Sequence, residues 1–140
     1  MNRMLAALAM CLGLAHAALA EDIDTTQVQV QVLAKSGSSW DNQTLPPYPS
    51  TAPEITVLRI SIPPGTSLPL HKHPMINAGV LLSGSLTVVT ENGQTLHMKI
   101  GDALIEVVDT WHYGRNDGSE TAVIVVFYAG TRDMPVSIKR

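Results

Sequence analysis

The sequence has 140 residues, of which 45% are hydrophobic and 15% are charged. These values are typical of a globular domain and argue against disorder or a second domain within this length. The formal charge of −3 leaves no basic footprint for nucleic acid and no polybasic patch for an anionic membrane. The single cysteine excludes a disulfide framework and a Cys-rich zinc site.

The first twenty residues have the pattern of an export signal. A short basic start precedes an uncharged run over residues 4–20 that is rich in Ala and Leu and ends in two small-x-small triplets. This pattern predicts a secretory signal peptide over residues 1–20, cleaved after Ala17 or Ala20. A stable membrane anchor is disfavoured because the run is short and Ala-rich. We therefore expect a secreted or periplasmic protein that loses Cys11 on cleavage.

Residues 21–53 combine a predicted strand with a proline-rich arm. From Thr25 to Leu33, valines alternate with glutamines, a period of two that is typical of a half-buried strand. That strand has a place either within the chain or in the sheet of a second copy. The prolines of residues 36–53 predict an arm lying over the surface, and Trp40 and Tyr48 favour packing over a mobile linker.

Residues 54–130 are predicted to form a β barrel, followed by a weakly patterned tail over residues 131–140. No stretch shows helical periodicity, so short strands with regular turns predict an all-β protein. Two dipeptides, Asn92-Gly93 and Asp117-Gly118, predict hairpin turns. The predicted strands are Glu54–Ile62, Leu68–His73, Asn77–Leu82, Ser85–Thr90, Thr95–Ile100, Ala103–Val108, Trp111–Asn116 and Thr121–Tyr128.

Three histidines carry the predicted chemistry. His71 and His73 are two residues apart on a predicted strand, so both side chains leave from one face. His112 follows a turn much further along, and a barrel that brings its strand beside theirs builds a three-His metal site. Neutral imidazole binds several divalent transition metals. The alternative is a pair of surface histidines, which is the preferred interpretation of an isolated H-x-H.

The spacing around these histidines resembles the two motifs of the cupin superfamily. Residues 65–84 read G-x5-H-x-H-x3-N-x6-G, and residues 101–116 read G-x5-V-x-D-x2-H-x3-N. The resemblance implies a cupin double-stranded β-helix, or jelly-roll barrel, in a small exported protein. It also implies one divalent transition metal (Fe, Mn, Zn, Ni or Cu), held by His71, His73 and His112.

Two positions leave the fourth ligand open. Asn77 stands where the first cupin motif has a glutamate, and its neutral oxygen is a weaker ligand for a divalent ion. Glu106 lies six residues before His112. It either reaches the site as a ligand or as a partner of a histidine, or it is a solvated strand residue. In the second motif Asp109 replaces a glycine, and Asp tolerates left-handed backbone better than most residues.

The resemblance implies oxygenase, isomerase or lyase chemistry on a small organic molecule. Two alternatives stay open, a cupin that binds a small molecule without turnover and a metal-free structural barrel. The sequence assigns no catalytic or substrate-binding residue, and it favours a solvated His97. The resemblance also implies a homodimer. The predicted barrel walls are Leu68, Leu70, Met75, Val80 and Leu82.

Overall fold

The computed structural model describes residues 26–140, so the predicted signal peptide lies outside the described residues. The compact unit formed by residues 31–140 contains strands and turns without a helix, which confirms the all-β prediction. Residues 26–30 belong to a different unit and contain no strand. Over the described range no helix is available to cross a membrane.

Nine strands form within residues 26–140, and most differ from the predicted strands only at their ends. The largest difference is at β2, where the flanking Pro69 and Pro74 limit pairing because proline has no backbone N–H to donate. The strands are β1 Pro53–Ile62, β2 His71–Lys72, β3 Asn77–Ser83, β4 Leu86–Thr90, β5 Thr95–Met98, β6 Ala103–Ile105, β7 His112–Arg115, β8 Ala122–Thr131 and β9 Ile138–Lys139.

The strands form two antiparallel sheets that share one hydrophobic core. The first sheet has the order β1-β8-β3-β6, and the second has the order β5-β4-β7-β2-β9. Burying one of the larger core side chains contributes roughly 1.5–3 kcal/mol, so this shared core holds the two sheets together. Both sheets contribute to it, with Ile62, Leu81, Leu104, Ile124 and Val126 from the first and Leu86, Val88 and Met98 from the second.

One of the two hairpin predictions is confirmed. β4 and β5 pair across the Asn92-Gly93 turn, where Gly93 has a φ of 87°. The prediction at Asp117-Gly118 is wrong, because β7 lies in the second sheet and β8 in the first. The Asn116 side chain closes this turn by donating to the carbonyl oxygens of Ile62 and Glu120, at 2.9 and 2.7 Å. These bonds direct the chain toward β1 and β8.

The strand predicted from Thr25 to Leu33 does not form over residues 26–33, and Thr25 lies outside the described residues. Side chains of this segment such as Val32 and Leu33 remain 71% and 49% exposed. Alternation alone does not make a strand, because a strand also needs a neighbouring edge to take its backbone hydrogen bonds. In the following arm, Trp40 packs against the core as expected, whereas Tyr48 is 77% exposed.

Replacing Gly84 by alanine should destabilise the fold more than the same change at Gly65. The two glycines have φ of 70° and 69°, so each substitution costs roughly 1 kcal/mol in left-handed strain. A Cβ at Gly84 also lies 2.9 Å from backbone atoms of Thr121 and Ala122, whereas one at Gly65 meets nothing within 4 Å. We expect a total loss of about 2–4 kcal/mol for Gly84→Ala. Equal losses in urea unfolding would contradict this packing.

Candidate metal centre

The three predicted histidines meet inside the barrel. His71 on β2 is the cross-strand partner of His112 on β7, and His73 follows two residues later on the same face. Ring centroids are 4.5 Å apart for His71 and His112, 4.9 Å for His71 and His73, and 5.0 Å for His73 and His112. One ligand nitrogen from each ring lies within 4.8 Å of the others, a cluster able to hold a metal ion.

Main-chain carbonyl groups fix the orientation of all three rings. The Nδ1 atom of His71 lies 2.7 Å from Pro69 O, and that of His112 lies 2.8 Å from Thr110 O. His73 Nδ1 lies 2.6 Å from the carbonyl oxygen of Val136. Because a carbonyl oxygen only accepts, each Nδ1 carries the proton. Each Nε2 therefore keeps its lone pair for a metal, the usual arrangement of a metal-ligating histidine.

Burial favours the neutral form of two of these rings, His71 and His73. It lowers the pKa of His71, and it lowers the pKa of His73 to about 4. The hydrogen bonds to Pro69 and Val136 oppose this effect, and the neighbouring imidazoles add to it. A neutral imidazole offers its lone pair to a metal without first losing a proton.

The carboxyl-terminal tail holds β2, which carries His71 and leads directly into His73. β9 pairs with β2, opposing Lys139 to His71, and Arg140 N donates to Leu70 O at 3.1 Å. The Arg140 guanidinium group lies 5.5 Å from the Trp111 ring centroid and pairs with Glu91. The sequence predicted only a weakly patterned tail, because a two-residue strand is too short to show a period.

Glu106 is buried at the site and is not a solvated strand residue. The residue is 7% exposed, and Oε2 lies 3.7 Å from His112 Nε2. Oε1 accepts hydrogen bonds from Trp40 Nε1 at 2.7 Å and from Val107 N at 2.9 Å. Among the described residues no lysine or arginine pairs with this carboxylate. A buried carboxylate in this position fits a bound cation.

Asn77 lines the same cavity from the neighbouring strand. It is 2% exposed, its side-chain Nδ2 donates to Met75 O at 3.4 Å, and its main-chain carbonyl oxygen accepts from Glu106 N at 3.0 Å. Asn77, which stands where the cupin motif has a glutamate, therefore lies beside Glu106, the carboxylate that is present. Asn77 begins β3, and Glu106 directly follows the last residue of β6. Three imidazoles with a carboxylate or amide oxygen form a donor set suited to a divalent transition metal.

The cavity has a volume of about 60 Å³ and mainly aliphatic walls. Of the five predicted wall residues, only Leu68 lines it. The prediction was wrong at Val80 and Leu82 because Asn77, Gly79 and Leu81 occupy the inward face of β3, which sends the alternate residues to the opposite face. Leu70 and Met75 lie outside its lining.

Sequence analysis missed Tyr128, which closes one side of the cavity. Its ring lies 5.4 Å from that of His73, and it is 4% exposed. Burial, with the nearby carboxylate of Glu106, raises the pKa of Tyr128 to about 12, so its phenol stays protonated near pH 7. A signal was present in the sequence, because the alternation that buries Ile124 and Val126 on β8 continues to Tyr128.

The histidine cluster does not include three other residues of interest, His97, Asp109 and Trp111. His97 on β5 is exposed, as expected, and its Nδ1 lies 3.2 Å from Thr87 Oγ1. Asp109 adopts a φ of 53°, the left-handed conformation that the glycine of the second motif would supply. Trp111 lies beside Lys72, whose Nζ is 5.5 Å from its ring centroid.

Comparison with solved structures shows a shared fold. Three neighbours are an oxalate decarboxylase from Lactobacillus farciminis (22% identity, TM-score 0.53), the DMSP lyase DddQ from Ruegeria pomeroyi (18%, 0.54) and an uncharacterized protein with a double-stranded β-helix domain from Klebsiella pneumoniae (20%, 0.52). They match 61%, 61% and 76% of this chain. This chain covers 26% of the decarboxylase, 42% of the lyase and 93% of the Klebsiella protein.

The sequence matches a family model directly. No curated protein matches the chain significantly. The family described as "Cupin domain" matches residues 58–128, which is half of the chain and includes all three clustered histidines. The chain belongs to the cupin superfamily, and its strands between residues 53 and 139 form a cupin barrel.

Proposed function

We propose that this chain is an exported cupin that holds one divalent transition metal and acts on a small organic molecule in its barrel. The observation that carries the proposal is the convergence of three imidazoles on one cavity, each tied through Nδ1 to a carbonyl oxygen. His71, His73 and His112 would hold the metal, with Glu106 or Asn77 completing its coordination. Iron, manganese, zinc, nickel and copper all suit such donors.

The residues around the cluster support an enzyme. A bound divalent ion supplies a Lewis acid that polarises a substrate oxygen. Tyr128 lines the cavity with a hydroxyl that stays protonated near pH 7 and can donate a hydrogen bond, and most of the other lining side chains are aliphatic. Two structural neighbours are named as a decarboxylase and a lyase. These features support oxygenase, isomerase or lyase chemistry.

A cupin that binds its ligand without turnover is the second candidate. Asn77 favours it, because a neutral amide oxygen holds a divalent ion less firmly than a carboxylate does. Incubating the metal-loaded protein with phenolic, enediol and keto-acid compounds, while measuring oxygen uptake and products, separates the candidates. Binding of a compound without any product would favour the second.

His112→Ala should abolish stoichiometric metal binding. The substitution removes one of three imidazoles, and His97→Ala serves as the matched control because His97 is exposed on β5. Protein purified without a histidine tag should carry about one equivalent of metal by elemental analysis, as should the control, and His112→Ala less than about a tenth. Full metal content in His112→Ala would remove the site as proposed.

Asn77→Glu should tighten metal binding and destabilise the metal-free protein. The new carboxylate adds a strong ligand, but without metal it lies beside the buried Glu106 and repels it. We expect a metal Kd at least about tenfold lower and a loss of roughly 1–3 kcal/mol in the metal-free state. Asn77→Gln controls for side-chain length. An unchanged Kd in Asn77→Glu would leave Glu106 as the fourth ligand.

Export and dimer formation complete the proposal. The amino-terminal pattern of residues 1–20 supports export, and the intact mass of periplasmic protein would reveal cleavage after Ala17 or Ala20.

Exposed Ile55 and Val57 on β1, with Phe127 opposite Val57 on β8, support pairing of two copies through this sheet. Light scattering should give a dimer that Val57→Lys weakens; a monomeric wild-type protein would contradict this part.

A further inference from the structure

The arm that precedes the barrel reaches the candidate metal centre through one side chain. Trp40 Nε1 donates a 2.7 Å hydrogen bond to Glu106 Oε1, although the two residues are 66 positions apart. The backbone N–H of Trp40 also donates to Ile105 O at 2.9 Å. Trp40 therefore binds two consecutive residues where β6 ends, through its main chain and its side chain.

The segment around Trp40 is a closed loop. Ser39 N donates to Gln43 O, and Leu45 N donates to Gly37 O, both at 2.9 Å. Inside this loop the Ser39 hydroxyl donates to Asp41, and these two polar side chains are only 6% and 7% exposed. A loop held by its own buried hydrogen bonds presents the indole in one position.

The bond from Trp40 determines how the carboxylate of Glu106 can face the cluster. Oε1 is occupied by two N–H donors, the indole of Trp40 and the backbone of Val107. Oε2 accepts neither of these hydrogen bonds and lies 3.7 Å from His112 Nε2. Hydrogen bonds from N–H groups to a carboxylate are stronger than hydrogen bonds between neutral groups. Removing the indole donor leaves Oε1 bonded to Val107 N, so the carboxylate is held less firmly.

We propose that Trp40 is a positioning residue of the metal centre, which holds Glu106 so that Oε2 faces the metal. The proposal rests on the proposed metal binding and adds a residue from outside the cupin motifs. A purely structural role for Trp40 predicts a different result, because its ring also packs against the core. Trp40→Phe keeps an aromatic ring against the core but removes the N–H donor and part of the ring area. A loss of metal affinity that depends on the Glu106 carboxylate therefore separates positioning from packing.

The test is a double-mutant cycle read out by metal affinity. Co²⁺ binding is measured by calorimetry and by visible absorption, which reports the coordination of the ion, in wild type, Trp40→Phe, Glu106→Gln and the double variant. Partners of metal ligands typically change affinity by 10- to 100-fold. We expect Trp40→Phe to weaken Co²⁺ binding about tenfold and to alter the absorption bands. Tyr48→Phe is the control, since it removes a hydrogen-bond donor from an aromatic side chain of the same arm that is 77% exposed and lies outside the cavity lining.

The outcomes separate this inference from the proposed function. In the Glu106→Gln background, Trp40→Phe should have no further effect, because the carboxylate through which it acts is gone. An equal loss of Co²⁺ affinity from Trp40→Phe in the wild-type and Glu106→Gln backgrounds would overturn the inference. The inference would also fail if Trp40→Phe bound Co²⁺ with wild-type affinity while Glu106→Gln bound it weakly. If wild-type protein binds no metal, the proposed function fails and the inference fails with it.

Discussion

Three hydrogen bonds between imidazole Nδ1 atoms and main-chain carbonyl oxygens determine what this barrel can hold. Pro69, Thr110 and Val136 supply those oxygens, so the backbone of three distant segments orients the rings. With every Nδ1 engaged, the Nε2 atom of each ring remains available to a metal at the cluster, and burial lowers the pKa of His71 and His73. The candidate metal centre thus depends on the positions of loops and the tail as much as on the histidines themselves.

The remaining contacts keep those carbonyl groups in place. β9 brings Val136 to His73 by pairing with β2, and Arg140 anchors the end of the tail near Trp111. The loop that carries Trp40 binds Glu106 through the indole N–H, and it binds Ile105 at the end of β6 through the backbone N–H of Trp40. Elements before and after the motif-bearing barrel therefore both reach the cluster, although neither contains a motif residue.

The sequence predicted the features that have a local pattern. Alternation located most strands, and the resemblance of residues 65–84 and 101–116 to the two cupin motifs predicted the meeting of three rings. It did not predict the roles of Trp40, Tyr128 or Val136, because their contacts depend on pairing between distant segments. The Thr25–Leu33 strand failed for a related reason, since alternation describes a strand without supplying its partner edge. The orientation of Glu106 was left open at the sequence level because its burial depends on how the chain turns after β6.

The most direct test of the account is an anomalous difference map from crystals grown with Co²⁺. The account predicts one strong peak about 2.1 Å from the Nε2 atoms of His71, His73 and His112, a typical distance from nitrogen to a divalent transition metal. A map without density between the three rings, or with its only peak at an exposed histidine such as His97, would contradict the central claim.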